Sequence, residues 1–185
     1  MQRCWWTNGD PLYEAYHDRV WGKPARDGRK LFEMLSLELF QSGLSWITIL
    51  RKQEHFASAF AGWDIARIAD FGEDDFNRLM NDAGIVRNRL KIEAVINNAR
   101  RAPDLVAEFG GLAEYFWRFE PENRPIPPGG YDRDTLPNMI EEAKQMSKDL
   151  KKRGFKFTGP MVCMSFMQAV GIINDHINGC DLCPY

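Results

Sequence analysis

Between residues 31 and 50 the chain reads LFEMLSLELFQSGLSWITIL, with apolar positions recurring at helical spacing. Leu31, Leu35 and Glu38 fall on one stripe at i, i+4 and i+7, with Met34 beside them. Glu38 is thus a carboxylate set in an apolar face, whereas Glu33 can turn away. The pattern fails at Gln41-Ser42-Gly43, and Ser45 is placed to cap a second helix beginning at Trp46. That second helix continues as WITILRKQEHFASAF, with Ile47, Leu50, Phe56 and Phe60 on its buried face and His55 on the surface. A buried Glu is costly unless paired or used. The pattern leaves two readings open: a structural acid bonded to helix-end amides, or a functional group.

The rest of the chain reads as helices joined by short turns. Asp10-Pro11 supplies an N-cap and a first-turn proline, so a helix runs to about Trp21 and stops at Gly22. Asp64 caps a short helix, and EDDFNRLMND makes the next. A tight turn, Ala83-Gly84-Ile85-Val86-Arg87-Asn88-Arg89, leads into LKIEAVINNARR. Helix, glycine hairpin, helix aims backbone N–H groups at phosphates, and Arg87, Arg89 and Lys91 add positive charge; a plain helical hairpin is the alternative. Pro103 ends that helix and starts another, DLVAEFG, followed by GLAEYFWRFE. Residues 120–135 form a proline- and glycine-rich excursion. NMIEEAKQMSKDLKKR is a charged helix whose terminal cations suit its dipole, and Pro160 opens MVCMSFMQAVGIIN, apolar nearly all round and therefore central. No run of alternating strands is present. The expected fold is all-α: one domain over 1–185, with room for two helical lobes on a shared core.

Composition narrows the function classes. An apolar fraction of 44% and a charged fraction of 27% are ordinary for a globular chain. No apolar run approaches the roughly 20 residues a membrane span needs, and MQRCWWTNGD lacks a secretory core, so a cytoplasmic protein is expected. A net charge of -2 argues against strong non-specific nucleic-acid binding but allows a local basic face. Four cysteines are too few for a disulfide scaffold. Cys4 and His17 stand as C-x12-H, and His176 and Cys180 as H-x3-C with the two tail ligands on adjacent turns. Two thiols and two imidazoles suit a closed tetrahedral zinc site, structural because no position is left open, that would clip the termini together. Unligated thiols are the alternative, and Cys183 makes a C-x2-C pair with Cys180 that could supply both sulfurs or act in redox chemistry. Trp5, Trp6, Tyr13, Tyr16 and Trp21 crowd the N-terminus, as core or as a binding surface.

Five separated blocks, RCWW, DPLYEAYHDRVWG, the 31–50 stretch, NDAGIVRNRLKIEAVINNAR and LKKRGFKFTGP…MQAVGIINDHINGC, together resemble the DNA-3-methyladenine glycosylase I family. The match runs through nearly the whole chain and fails mainly in the 120–135 loop and the last residues. The resemblance implies a helix-hairpin-helix glycosylase fold with structural zinc. It implies a monofunctional enzyme that excises 3-methyladenine from alkylated double-stranded DNA without a redox cofactor. Carried over residue by residue, the zinc ligands are Cys4, His17, His176 and Cys180. The base pocket is Tyr16, Glu38 and Trp46, with Trp6 and Trp21 as walls, and Glu38 is the key carboxylate. The phosphate hairpin spans Gly84, Ile85, Val86, Arg87 and Arg89; Lys91 beside it is read from its position as a phosphate contact in preference to a Schiff-base nucleophile. Leu44, apolar at a glycine turn, is inferred from spacing as a wedge for the gap left in the duplex. Monomeric action suits an asymmetric lesion. The competing classes are a zinc-stabilised helical binding module and a thiol redox protein, the latter lacking the βαβ context its motif needs.

Overall fold

The computed structural model describes residues 1–185 and contains ten α-helices and two 3-10 turns, with no strand. Helix α1 (Pro11–Arg19) starts where Asp10 accepts hydrogen bonds from the N–H groups of Leu12 and Tyr13. Helix α2 (Gly28–Gln41) is capped by Asp27 and is the centre of the molecule. Its second half is enclosed on every side: Met34, Leu35, Ser36, Leu37, Glu38, Leu39 and Phe40 are all buried. The one-sided stripe visible in the sequence understates this enclosure. Helix α10 (Pro160–Ala169), also apolar all round, packs on α2 and on α9 (Glu141–Lys152). Helix α7 (Arg89–Phe109) packs against α5 (Ile65–Ala69), α6 (Glu73–Asn81) and α8 (Leu112–Trp117). The buried apolar side chains form one cluster of 41 residues drawn from Tyr16 to Ile173. No helix is long and apolar enough to cross a membrane.

Three expectations are corrected. Pro103 does not end a helix but lies inside α7. An interior proline costs about 3 kcal/mol. Ala99, Ala102 and Leu105 continue one buried stripe across it, and burying a Leu alone is worth about 1.5–3 kcal/mol, so packing outweighs the lost bond. The predicted helix after Ser45 is two, α3 (Trp46–Leu50) and α4 (Gln53–Ala59), because the chain leaves helical geometry at Lys52. Helix α10 stops at Ala169 rather than running to Asn174.

Two residues beyond that stop, Gly171 holds the left-handed turn against the Lys23-Pro24 backbone. Its φ is +72°, and an added Cβ would lie 2.4 Å from the Lys23 carbonyl carbon and 2.6 Å from Pro24 N. Backbone cannot yield there as a flexible side chain would. Gly171→Ala is expected to cost roughly 3 kcal/mol or more and to lower Tm by on the order of 10 °C in a thermal melt. The turn matters because the C-terminal segment it releases supplies two of the residues described next.

Candidate functional site

The N-terminal segment, α1, the end of α2, the start of α3 and α10 enclose a cavity of about 380 Å³. Trp6, Tyr16, Trp21, Trp46 and Glu38, the five residues expected there, all line it. Their rings brace one another: Trp6 meets Trp21 edge-on with centroids 5.1 Å apart, and Tyr16 lies 5.2 Å from Trp46. The Tyr13 hydroxyl accepts from Ile47 N at 3.1 Å, fixing the start of α3 against α1. Ser45 stands at the N-cap of α3, but its hydroxyl pairs with that of Thr48 at 2.7 Å instead of capping a backbone amide.

Glu38 is 5% exposed. Its carboxyl is pushed up to about 8 by burial alone, with no hydrogen bond to hold the charged form. The structural reading, an acid bonded to helix-end amides, therefore fails. Tyr16 is likewise raised well above its ordinary value, by burial and then by the nearby Glu38 charge, and no protein group bonds its hydroxyl. Trp46 Nε1 is buried without a partner. The Glu38 carboxyl and the Tyr16 hydroxyl thus have no protein partner beside one aromatic cavity, and the indole N–H of Trp46 in its wall is buried without one. Such polar groups are costly to bury, and a ligand carrying complementary groups offsets that cost.

Sequence reasoning misses several lining residues, among them Gln41, Leu136, Ser165, Gln168 and Asp175. Gln168 Nε2 donates to Asp175 Oδ2 at 2.8 Å, and Arg124 forms a buried ion pair with the other oxygen of Asp175. The 120–135 excursion is thereby pinned to the cavity wall. Gln41 is legible as the residue nearly one turn after Glu38. Arg124 and Asp175, far apart in sequence, carry no such signal.

Beside the cavity, Cys4, His17, His176 and Cys180 converge, all buried, with their ligand atoms within 4.8 Å of one another. Cys180 Sγ is 3.5 Å from both His17 Nε2 and His176 Nδ1, Cys4 Sγ is 3.7 Å from His176 Nδ1, and the two ring nitrogens are 3.1 Å apart. Asp18 Oδ1 accepts from His17 Nδ1 at 2.8 Å, and the Trp21 carbonyl lies 3.3 Å from His176 Nε2. Those outer partners fix the tautomers that turn one lone pair of each imidazole toward the cluster. The four groups can hold a metal ion. His176 and Cys180 sit in the non-helical tail, and Cys183 is turned to the Gly129 carbonyl at 3.5 Å, outside the four. Because His17 follows Tyr16 and the His176 ring packs 4.7 Å from Trp21, the cluster braces the pocket wall.

The turn between α6 and α7 is held by Asp82, whose carboxylate accepts from Gly84 N at 2.7 Å, and by Asn88, which caps α7 at Lys91 N. Arg87 and Arg89 are exposed and Val86 is partly so. Ile85 is 3% exposed and anchors the turn in the core, so its side chain does not reach a partner. Lys91 is also corrected. It is 6% exposed, and its Nζ donates to the carbonyls of Phe40 and Ser42, so it is not a surface phosphate contact. Leu44 is 40% exposed beside Gly43, whose φ of +80° turns the chain out.

The sequence pattern of the methyladenine glycosylases matches residues 5–183. The chain belongs to this family. It is 44% identical over 184 residues to DNA-3-methyladenine glycosylase 1 of Escherichia coli (strain K12), covering 100% of this chain and 98% of that one. A crystal structure of 3-methyladenine DNA glycosylase I superposes with a TM-score of 0.92 at 46% identity, covering 99% of this chain and 100% of that chain. A structure of the Staphylococcus aureus glycosylase, which concerns its recognition of 3-methyladenine, gives 0.91 at 35% identity over 100% and 98% of the two chains. Methyladenine glycosylases thus share this all-helical architecture from end to end.

Proposed function

We propose that this chain is a DNA glycosylase of base excision repair that removes 3-methyladenine from alkylated double-stranded DNA and leaves an abasic site. The observation that carries the reading is Glu38, a buried carboxyl with no protein partner inside an aromatic cavity with room for a base. A base in a duplex must leave the stack to be excised, and a pocket of stacked rings with a few polar readers receives it. An N3-alkylated adenine is cationic in the nucleotide, so Trp46 attracts it through its ring face while Glu38 ionises against it. Tyr16 supplies a second polar contact. When the bond between C1′ and N9 breaks, N9 keeps the electron pair and the base leaves neutral. Water then adds to C1′ and gives up a proton. Because the leaving group is already activated, Glu38 serves as an anion that recognises the lesion and stabilises positive charge developing on the sugar. No lysine is placed in the cavity for a Schiff base, which supports a monofunctional reaction.

The four-residue cluster is assigned as structural zinc. Bonds of about 2.3 Å to sulfur and about 2.0 Å to nitrogen space tetrahedral ligands about 3.3–3.7 Å apart, close to the separations seen. The turn between α6 and α7, with those helices, is read as the helix-hairpin-helix that grips the DNA backbone through Arg87, Arg89 and the free amides of its turn, Gly84 giving the tight backbone. Leu44 fills the space the base vacates. The enzyme acts as a monomer on one lesion at a time, in the cytoplasm with its DNA.

The test is incubation with methylated duplex DNA and chromatography of what is released. The expected product is 3-methyladenine, with strands that stay intact until alkali cleaves them at abasic sites. Absence of release by folded wild type contradicts the reading, and strand cleavage without alkali contradicts its monofunctional part.

A further inference from the structure

Lys91 lies in the first turn of α7, immediately after the hairpin, yet its side chain runs back to the end of α2. Its Nζ donates to Phe40 O at 2.9 Å and to Ser42 O at 2.6 Å. Those carbonyls belong to the last turn of a helix, where acceptors lack helical partners and the dipole favours a cation. They flank Gln41, which lines the cavity, and follow Glu38 by two and four residues. On the other side, Lys52 at the junction of α3 and α4 donates to Ala83 O at 3.0 Å and to Gly84 O at 3.1 Å, both carbonyls of the hairpin.

The two ammonium groups close a ring. It runs from the end of α2 through the Gly43-Leu44 turn and α3 to Lys52, across to the hairpin, and from the start of α7 through Lys91 back to α2. Neither lysine faces a carboxylate in these bonds. Burying an ammonium group against carbonyls alone is a costly way to fill space, as the lowering of the Lys91 pKa by its burial reflects. An apolar side chain would satisfy packing, whereas charge-assisted bonds fix relative position.

We propose that Lys91 is a positioning residue of the excision reaction: with Lys52 it locks the phosphate-binding hairpin to the end of α2, which carries Glu38, and to the turn bearing Leu44, so that gripping the DNA backbone sets where the extruded base arrives. This inference rests on the glycosylase reading. It separates two demands on the pocket. A free base needs only the cavity, whereas a base attached to a gripped duplex needs the cavity at the correct distance from the hairpin.

The test compares wild type, Lys91→Met, Lys91→Arg and Lys52→Met on three readouts: single-turnover excision from methylated duplex, binding of free 3-methyladenine by tryptophan fluorescence, and Tm. Losing a hydrogen bond to a charged group predicts Lys91→Met excising about ten- to a hundred-fold more slowly, with free-base affinity held within about two-fold. Lys91→Arg should recover part of the rate. Lys52→Met opens the same ring from its outer side and should slow excision in the same selective way, which keeps the inference testable if Lys91→Met fails to fold. Excision at the wild-type rate in the folded variants overturns the proposal. So does a parallel loss of excision and free-base affinity, the mark of a purely structural support. Wild type that releases no 3-methyladenine would instead remove the glycosylase reading itself.

Discussion

Glu38→Gln is expected to lower kcat/KM for 3-methyladenine release by roughly a hundred-fold or more, the scale of losing an electrostatic stabiliser from an enclosed site. It is also expected to abolish a pH dependence that wild type shows. In the free enzyme the Glu38 carboxyl is raised by burial to about 8, so it is largely protonated at pH 6. Only the ionised form meets a cationic base, so wild-type kcat/KM should climb with pH and level off only above about 8, while kcat levels off lower because the bound cation favours the charged form. Tyr16, raised well above its ordinary range, stays neutral throughout that window, so the profile is assigned to Glu38. Stability carries the opposite sign. A carboxyl whose folded value lies above its ordinary 4.5 binds more protons folded than unfolded between those two values. Wild type should therefore lose stability as pH rises from about 4.5 to about 8, by on the order of a few kcal/mol. Glu38→Gln should melt higher than wild type at pH 8 and close to it at pH 4.5. A variant that is both more stable and nearly inactive marks a residue kept for function.

The second large effect concerns the buried Cys/His cluster. Chelation, or Cys4→Ser, should release one zinc per chain and lower Tm by on the order of 10–20 °C, since a metal clip joining the two ends of a chain contributes folding free energy directly. Asp18→Asn, which leaves all four ligands in place but alters the group that orients His17, should weaken zinc binding by about ten- to a hundred-fold with a smaller loss of Tm. Metal analysis alongside differential scanning calorimetry reads both. If full zinc removal left Tm and excision unchanged, the cluster would be four buried side chains and not a clip. Excision should fall with the fold rather than ahead of it, because these four side chains lie beside the pocket and supply no reacting group.

Much of this site is visible in the sequence because its residue types carry their chemistry with them. Glu38 on the Leu31/Leu35 stripe can only point inward, and two Cys with two His at the chain ends form a donor set that apolar packing does not require. The failures have a shared cause, a local rule overridden by a buried stripe or anchor. Pro103 obeys such a rule, and the stripe of Ala99, Ala102 and Leu105 outvotes it. The charge of Lys91 suggests the surface, although it lies at i, i+4, i+7 and i+11 with Val95, Asn98 and Ala102, all of them buried. That periodicity is the available signal. Ile85 sits among exposed neighbours in the hairpin, where an apolar residue in a polar turn more naturally anchors it. Arg124 and Asp175 meet only in the folded chain, and no spacing announces a contact between a loop and a tail.

The proposal that the cavity around Glu38 receives the alkylated adenine underlies the excision, hairpin and Lys91 assignments. A fluorescence titration of folded, zinc-loaded protein with free 3-methyladenine and with adenine tests it most directly, since Trp6, Trp21 and Trp46 line the cavity. The expected result is saturable quenching at one 3-methyladenine per chain, much weaker binding of adenine, and loss of the preference in Glu38→Gln. Equal affinity for the two bases, or a preference that survives Glu38→Gln, would contradict it.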